Sequence, residues 1–165
     1  MPRVLFVCKG NICRSPTAEA VVADAVQRLG LQAHWQIDSA GTHGYHIGEP
    51  PDHRSVRAAA VRGIAMAHLR ARLIQANDFD AFDQILVMDQ HNLRDVLAIC
   101  PDRFISKVRL FLSDSDCGLN AEVPDPYYAG AAAFETVLDL CMRGARGLLS
   151  RYAGVAKNLM ATAEG

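Results

Sequence analysis

No stretch of this sequence approaches the length and apolarity of a membrane-spanning helix, and no basic start followed by an apolar core marks a secretory signal. Charge of one sign is not in excess: 17 Lys and Arg face 18 Asp and Glu, so nothing calls for a nucleic-acid or membrane partner. The string G-x-x-x-x-G-K-[ST] is missing, which excludes the magnesium-nucleotide loop. The five cysteines, Cys8, Cys13, Cys100, Cys117 and Cys141, show no zinc-like pairing of Cys-x2-Cys units with a second pair or with histidines. An odd count without a secretory signal argues for free thiols in a reducing, cytoplasmic compartment. No metal and no cofactor is expected. Repeats and linkers are also lacking, and bias in composition is confined to a short Ala-rich tail.

What remains is an ordinary globular chain of 165 residues, 50% hydrophobic and 21% charged. That length suits one domain, able to bury roughly 70% of its unfolded surface without staples. We expect this domain over residues 1–153 and a tail over 154–165.

The informative stretch is Cys8-Lys9-Gly10-Asn11-Ile12-Cys13-Arg14-Ser15-Pro16. The apolar run Val4-Leu5-Phe6-Val7 before it reads as a buried parallel strand. After it a helix begins, with Ser15 as N-cap and Pro16 at the first helical position. In a strand–loop–helix of this kind several backbone N–H groups converge, and the positive end of the helix dipole faces the loop. Gly10 permits a tight bend and Asn11 tolerates a left-handed conformation, so the loop is a nest for a tetrahedral dianion such as phosphate, sulfate or vanadate. Cys8 stands at the strand end, where the helix N-terminus and Arg14 favour a thiolate. Arg14 offers a planar fork matched to two phosphate oxygens. A thiolate in line with a bound phosphoryl group describes nucleophilic phosphoryl transfer. The plainer alternative is a buried structural cysteine beside a surface arginine.

This stretch resembles the signature loop of the low-molecular-weight protein tyrosine phosphatases, and Asp125-Pro126-Tyr127-Tyr128 resembles that family's second motif. The likeness extends through Ile37 to Thr42, Gly48 to Arg54, Val87-Met88-Asp89 and Asn92 to Asp95, in family order, from about Arg3 to Tyr152. It implies a three-layer α/β fold: a four-stranded parallel sheet of order 2-1-3-4, helices on both faces, and the phosphate-binding loop after the first strand.

Periodicity along the chain agrees with alternating strands and helices. Helical spacing of Ala18, Val21, Val22, Ala25, Val26 and Leu29 predicts a helix from about Pro16 to Leu29, ended by Gly30. A strand over 34–38 precedes a Gly- and Pro-rich loop from Ser39 to Pro51, and Asp52 caps a helix to about Arg62. Strands near Gln84 to Asp89 and Lys107 to Leu112 flank a helix from His91 to Ile99, stopped by Pro101. A long amphipathic helix over 131–152 turns Phe134, Val137, Leu138, Cys141 and Leu148 inward.

An aryl phosphate needs its leaving oxygen protonated, a contribution of roughly 10²–10⁴-fold when the acid is positioned. Asp125 lies between Pro124 and Pro126, which stiffen its loop. The resemblance makes Asp125 the general acid, which later activates water against the cysteinyl phosphate. It also makes Ser15 the hydroxyl that hydrogen-bonds Cys8, and Asn11, Ser39 and His68 a network that holds the loop. Tyr45 and Tyr127 become aromatic walls for a flat substrate. Lys9, Gly10, Asn11, Ile12 and Cys13 contribute to the substrate pocket, and Cys8–Cys13 becomes a reversible disulfide that shelters the nucleophile. Lys9 and His46 stand where relatives vary and so bear on substrate choice.

The expected reaction is hydrolysis of phosphotyrosine in proteins, a cognate tyrosine kinase among the candidate partners, and of small aryl phosphates, without metal. Three alternatives share parts of the pattern. A protein arginine phosphatase would carry a polar Thr in place of Ile12. A thiol-coupled arsenate reductase would need relay cysteines that Gln84 to Ile99 lacks. A phosphate-binding module without catalysis would dispense with Cys8 or Asp125.

Overall fold

The computed structural model describes residues 1–163. Four strands, β1 (Arg3–Cys8), β2 (Gln36–Gly41), β3 (Gln84–Val87) and β4 (Val108–Leu110), form one sheet of order β2-β1-β3-β4. All neighbours are parallel, with Cys8 opposite Gly41 and Val7 opposite Val87. The helices are α1 (Arg14–Arg28), α2 (His53–Val61), the single-turn α3 (Asp78–Ala81), α4 (Gln90–Ile99) and α5 (Ala131–Ala163).

Alternation along β1 explains the layers. Val4, Phe6 and Cys8 share one face with α1 and α5, where Val22, Phe111, Val137, Leu138 and Cys141 close the core. Leu5 and Val7 face the other side and meet Phe79, Ile85, Val87 and Val96. Both faces of β1 are therefore buried, which is why its sequence is a continuous apolar run rather than an alternating one. Each such side chain withdrawn from water contributes about 1.5–3 kcal/mol. Phe6 and Phe111 meet edge to face, 4.9 Å between centroids. The chain leaves β1 for β2 on one side, then returns past β1 to β3 on the other. The carboxyl end of β1 is thus the point where strand order reverses, and a crevice opens there.

Local signals set most boundaries. Asp52 accepts from the Arg54 N–H at 2.9 Å and Asp89 from the Asn92 N–H at 2.7 Å, so both carboxylates cap their helices. Gly30, with φ +71°, ends α1 by donating to Gln27, while Leu31 donates to Val26. Three expectations need correction. The second strand runs on to Gly41, because β1 pairs with it as far as Cys8. The first helix starts at Arg14 with Cys13 before it, so Ser15 lies inside the first turn and its hydroxyl is committed elsewhere. Leu29 falls beyond the last turn and is 60% exposed, not inward. The five inward positions of α5 are buried as expected. That helix passes Tyr152 and continues to Ala163; the last two residues of the expected tail, 164–165, lie outside the described residues. No helix among the described residues is long and apolar enough to cross a membrane.

Candidate active site

The loop from Cys8 to Ser15 connects the carboxyl end of β1 to the first turn of α1. It is held on both sides by backbone bonds. Thr42 N–H donates to the Cys8 carbonyl and His43 N–H to the Lys9 carbonyl, both at 2.9 Å, and Asp52 N–H donates to the Ile12 carbonyl at 2.8 Å. Gly41 lies against this loop so closely that a β-carbon there would sit 2.8 Å from the Lys9 carbonyl oxygen. Among the described residues, Asn11 is alone among non-glycines in a left-handed conformation, at φ +55°. Its side chain stabilises that turn. Asn11 Nδ2 donates to Ser15 Oγ at 2.8 Å and to Ser39 Oγ at 2.9 Å, while Oδ1 accepts from the Arg72 N–H at 3.0 Å. Ser15 Oγ then lies 3.0 Å from Cys8 Sγ.

Arg14 is 3% exposed. Its Nη1 donates to Asp89 Oδ2 at 2.5 Å and to the Val123 carbonyl at 3.1 Å, and its Nη2 stands 3.6 Å from Asp125 Oδ2. Burial opposes the charge, but Cys8, Asp89 and Asp125 outweigh it and hold the guanidinium above its ordinary range. Asp89 therefore does two things at once: one oxygen caps α4 and the other fixes Arg14.

Asp125 reaches the cleft from a loop far along the chain, and about half of its side chain is exposed. Its Oδ1 accepts from the Tyr127 N–H at 3.1 Å, an Asx turn that stiffens the loop. Arg54 of α2 clasps the same loop, donating to the Tyr127 carbonyl at 3.1 Å and lying 4.4 Å over the Phe134 ring.

The resulting cavity is about 270 Å³. Its buried lining comes from Cys8, Ile12, Cys13 and Arg14, with Gly10 half-buried; its outer lining is Lys9, Tyr45, His46, Asp125, Tyr127 and Tyr128. Tyr45 stacks on His43, 5.3 Å between centroids, and stays 67% exposed. His46 sits over Gly10, where a β-carbon would meet its ring at 3.1 Å. Cys13 is buried in the wall, and burial, then Asp52, Cys8 and Asp125, push its thiol up to about 12. It is a protonated thiol at neutral pH. Among the described residues, no group of three His, Cys, Asp or Glu side chains is arranged to hold a metal ion.

The structure thus gathers Cys8, Lys9, Gly10, Ile12, Cys13, Arg14, Tyr45, Asp125 and Tyr127 at one cleft. It places Asn11, Ser15 and Ser39 behind the loop as a bonded network. His68 is not part of that network. It is exposed on an outer groove, while Asn11 Oδ1 accepts from the Arg72 N–H and Ser39 Oγ–H donates to Glu19 Oε2 at 2.5 Å. Glu19, Arg72, Asp89 and Arg54 carry site contacts that the sequence reading did not assign. For Glu19 a signal existed: it lies one turn after Ser15, a carboxylate beside the apolar stripe of α1.

The family model described as low molecular weight phosphotyrosine protein phosphatase matches residues 3–161. The human protein of that name is 44% identical over 149 residues, covering 90% of this chain and 94% of its own. The Bacillus subtilis low molecular weight protein-tyrosine-phosphatase YfkJ is 40% identical, covering 91% and 95%. Among solved structures, a protein tyrosine phosphatase from Entamoeba histolytica with Hepes in the active site superposes with a TM-score of 0.89 at 35% identity, covering 94% and 99%. The YfkJ crystal structure gives 0.87 at 37% identity, covering 93% and 96%.

Proposed function

The chain belongs to the low molecular weight phosphotyrosine protein phosphatases, and from that membership we propose that it hydrolyses phosphotyrosine in proteins through a phosphocysteine on Cys8. One observation supports the reading above the others. Cys8, Arg14 and Asp125 line one cavity, although Asp125 comes from a remote loop.

In this reading the loop N–H groups and Arg14 bind the phosphate oxygens. The Cys8 thiolate attacks phosphorus, an S–P bond forms, and the P–O bond to the tyrosyl oxygen breaks. Asp125 gives its proton to that oxygen, so tyrosine leaves as a neutral phenol rather than as the anion of an acid with pKa near 10. The Asp125 carboxylate then takes a proton from water as the water attacks the phosphocysteine, releasing phosphate and the thiolate. Ser15 donates to the sulfur and stabilises it each time it carries charge. Tyr45 and Tyr127 accommodate the aromatic ring. The substrates are phosphotyrosine proteins, with a cognate tyrosine kinase among them. Phosphate, sulfate and vanadate are the simple anions that fit the loop. The odd number of cysteines supports a reducing cytoplasmic setting.

The test is a paired assay on phosphotyrosine and phosphoarginine peptides. Wild-type enzyme should turn over phosphotyrosine, and Cys8→Ser should lose more than about 10³-fold in rate while retaining vanadate binding by calorimetry. Preference for phosphoarginine overturns the substrate; turnover by Cys8→Ser overturns the mechanism.

A further inference from the structure

Behind the loop, a line of polar atoms runs from Cys8 to the outer face of α1. It ends at Glu19, which the chemistry above does not use. The direction of the hydrogen bonds around Asn11 follows from what each group can donate. The Arg72 N–H on Asn11 Oδ1 fixes the amide orientation, so Nδ2 must face both hydroxyls. Ser15 and Ser39 each accept from Asn11, and each has one proton left to give. Ser39 gives its proton to Glu19 at 2.5 Å. Ser15 has Cys8 Sγ at 3.0 Å and, more distantly, the Ala40 carbonyl at 3.4 Å.

We propose that Glu19 is a positioning residue for the phosphatase reaction: its carboxylate accepts the Ser39 Oγ–H hydrogen bond and so keeps the Ser39 oxygen turned to accept from Asn11, which anchors the left-handed turn of the loop and the Ser15 donor to Cys8. The inference rests on the phosphatase reading given above. It goes beyond it by tying the nucleophile to a group outside the cleft.

Ionisation of Glu19 is what sets this order. Once protonated, Glu19 no longer requires the Ser39 proton, the hydroxyl is free to turn, and the hold on Asn11 slackens. Burial pushes the Glu19 carboxyl up to about 7, opposed by the Ser39 bond and by Arg72 and reinforced by Asp38. The charged groups around it come from each packed segment. Asp38 lies on β2; Arg72 and His68 lie on the segment before α3; Asp24 and Arg28 follow on α1 itself. Glu19 and His68 line the same surface groove, so solvent reaches the carboxyl and bulk pH governs it.

The experiment compares wild type with Glu19→Gln from pH 5.5 to 8.5. Two rates are read: kcat for p-nitrophenyl phosphate, and alkylation of Cys8 by iodoacetamide, with Cys8→Ser as the background. Below pH 6 wild type is itself protonated at Glu19, so the two proteins should agree within about twofold. Above pH 7.5 wild type should be faster by about tenfold in kcat, the effect of one charge-assisted hydrogen bond, with little change in KM. Titration of groups remote from Glu19 cancels in the ratio. A ratio near one throughout, or a loss of the same size at every pH, overturns the proposal. If Glu19→Gln does not fold by circular dichroism, Glu19→Ala removes the same charge and the same ratio is read. Should wild type fail to hydrolyse the ester, the phosphatase reading falls, and the alkylation ratio still decides the role of Glu19.

Discussion

Arg14 and Asp125 approach to 3.6 Å across the mouth of the cleft, which joins the first turn of α1 to a loop near the other end of the chain. The contact sets a buried guanidinium beside a half-exposed carboxyl, the two groups that the proposed reaction uses as phosphate fork and proton donor. Both residues line the cavity that holds Cys8, so the three are read as one unit.

Asp125→Ala removes the acid and leaves the fork. Protein phosphotyrosine should slow by about 10²–10⁴-fold, whereas an ester whose leaving group is already a weak base should slow far less. Stopped-flow or steady-state kcat on both substrates checks this. Equal losses would mean that Asp125 does not supply the proton.

Asp89 holds the buried Arg14 and caps α4, and the two duties separate by substitution. Asp89→Asn keeps a capping oxygen but loses the charge opposite the guanidinium. Asp89→Ala loses both. We expect the Ala variant to be less stable than the Asn variant by about 1 kcal/mol, the value of a cap, in urea denaturation. Both should bind phosphate more weakly, because Arg14 loses a fixed partner. Unchanged phosphate affinity would show that Val123 and Asp125 suffice to place it.

Asn11 is strained in its backbone and needed in its side chain. Asn11→Ala and Asn11→Gly both lose three hydrogen bonds, but only alanine also carries the left-handed penalty of about 1–2 kcal/mol. Asn11→Gly should therefore be more stable than Asn11→Ala by roughly 1 kcal/mol in equilibrium unfolding, offset in part by the flexibility of glycine in the unfolded chain. A more stable alanine variant would mean that the loop relaxes out of the turn.

Glu19 has a cost that its proposed role explains. Its carboxyl binds a proton more tightly when folded, titrating near 7 rather than at its ordinary 4.5. The native state therefore holds more protons than the unfolded chain between those values, and stability falls as pH rises through that window. Glu19→Gln should remove the fall and be the more stable protein at pH 8, while wild type recovers the difference by pH 4.5. Thermal melts across pH check this; parallel curves for the two proteins would refute it.

How much of this could be read in advance differs from residue to residue. The nest from Cys8 to Ser15 was legible because its parts are contiguous: a strand end, Gly10, Asn11 and a helix start leave little freedom in where the N–H groups and the thiol point. The strand order followed from family likeness, and the inward positions of α5 from a period of 3.6. His68 was misplaced because a lone histidine has no local signature, and its partner positions went to Arg72 and Glu19. The longer reach of β2 was hidden as well, since Ser39 to Gly41 read as loop until pairing with β1 extended it.

The sequence by itself determined the strand–loop–helix run and the thiol and guanidinium it carries, because neighbours along a chain are held together by covalent geometry whatever the rest of the molecule does. Only the tertiary structure decided that Asp125 and Asp89 converge on Arg14 and that Glu19 backs the loop through Ser39. Those partners are separated along the chain by whole helices and strands, and what brings them within contact range is the reversal of strand order at β1 and the packing of α1 against β2.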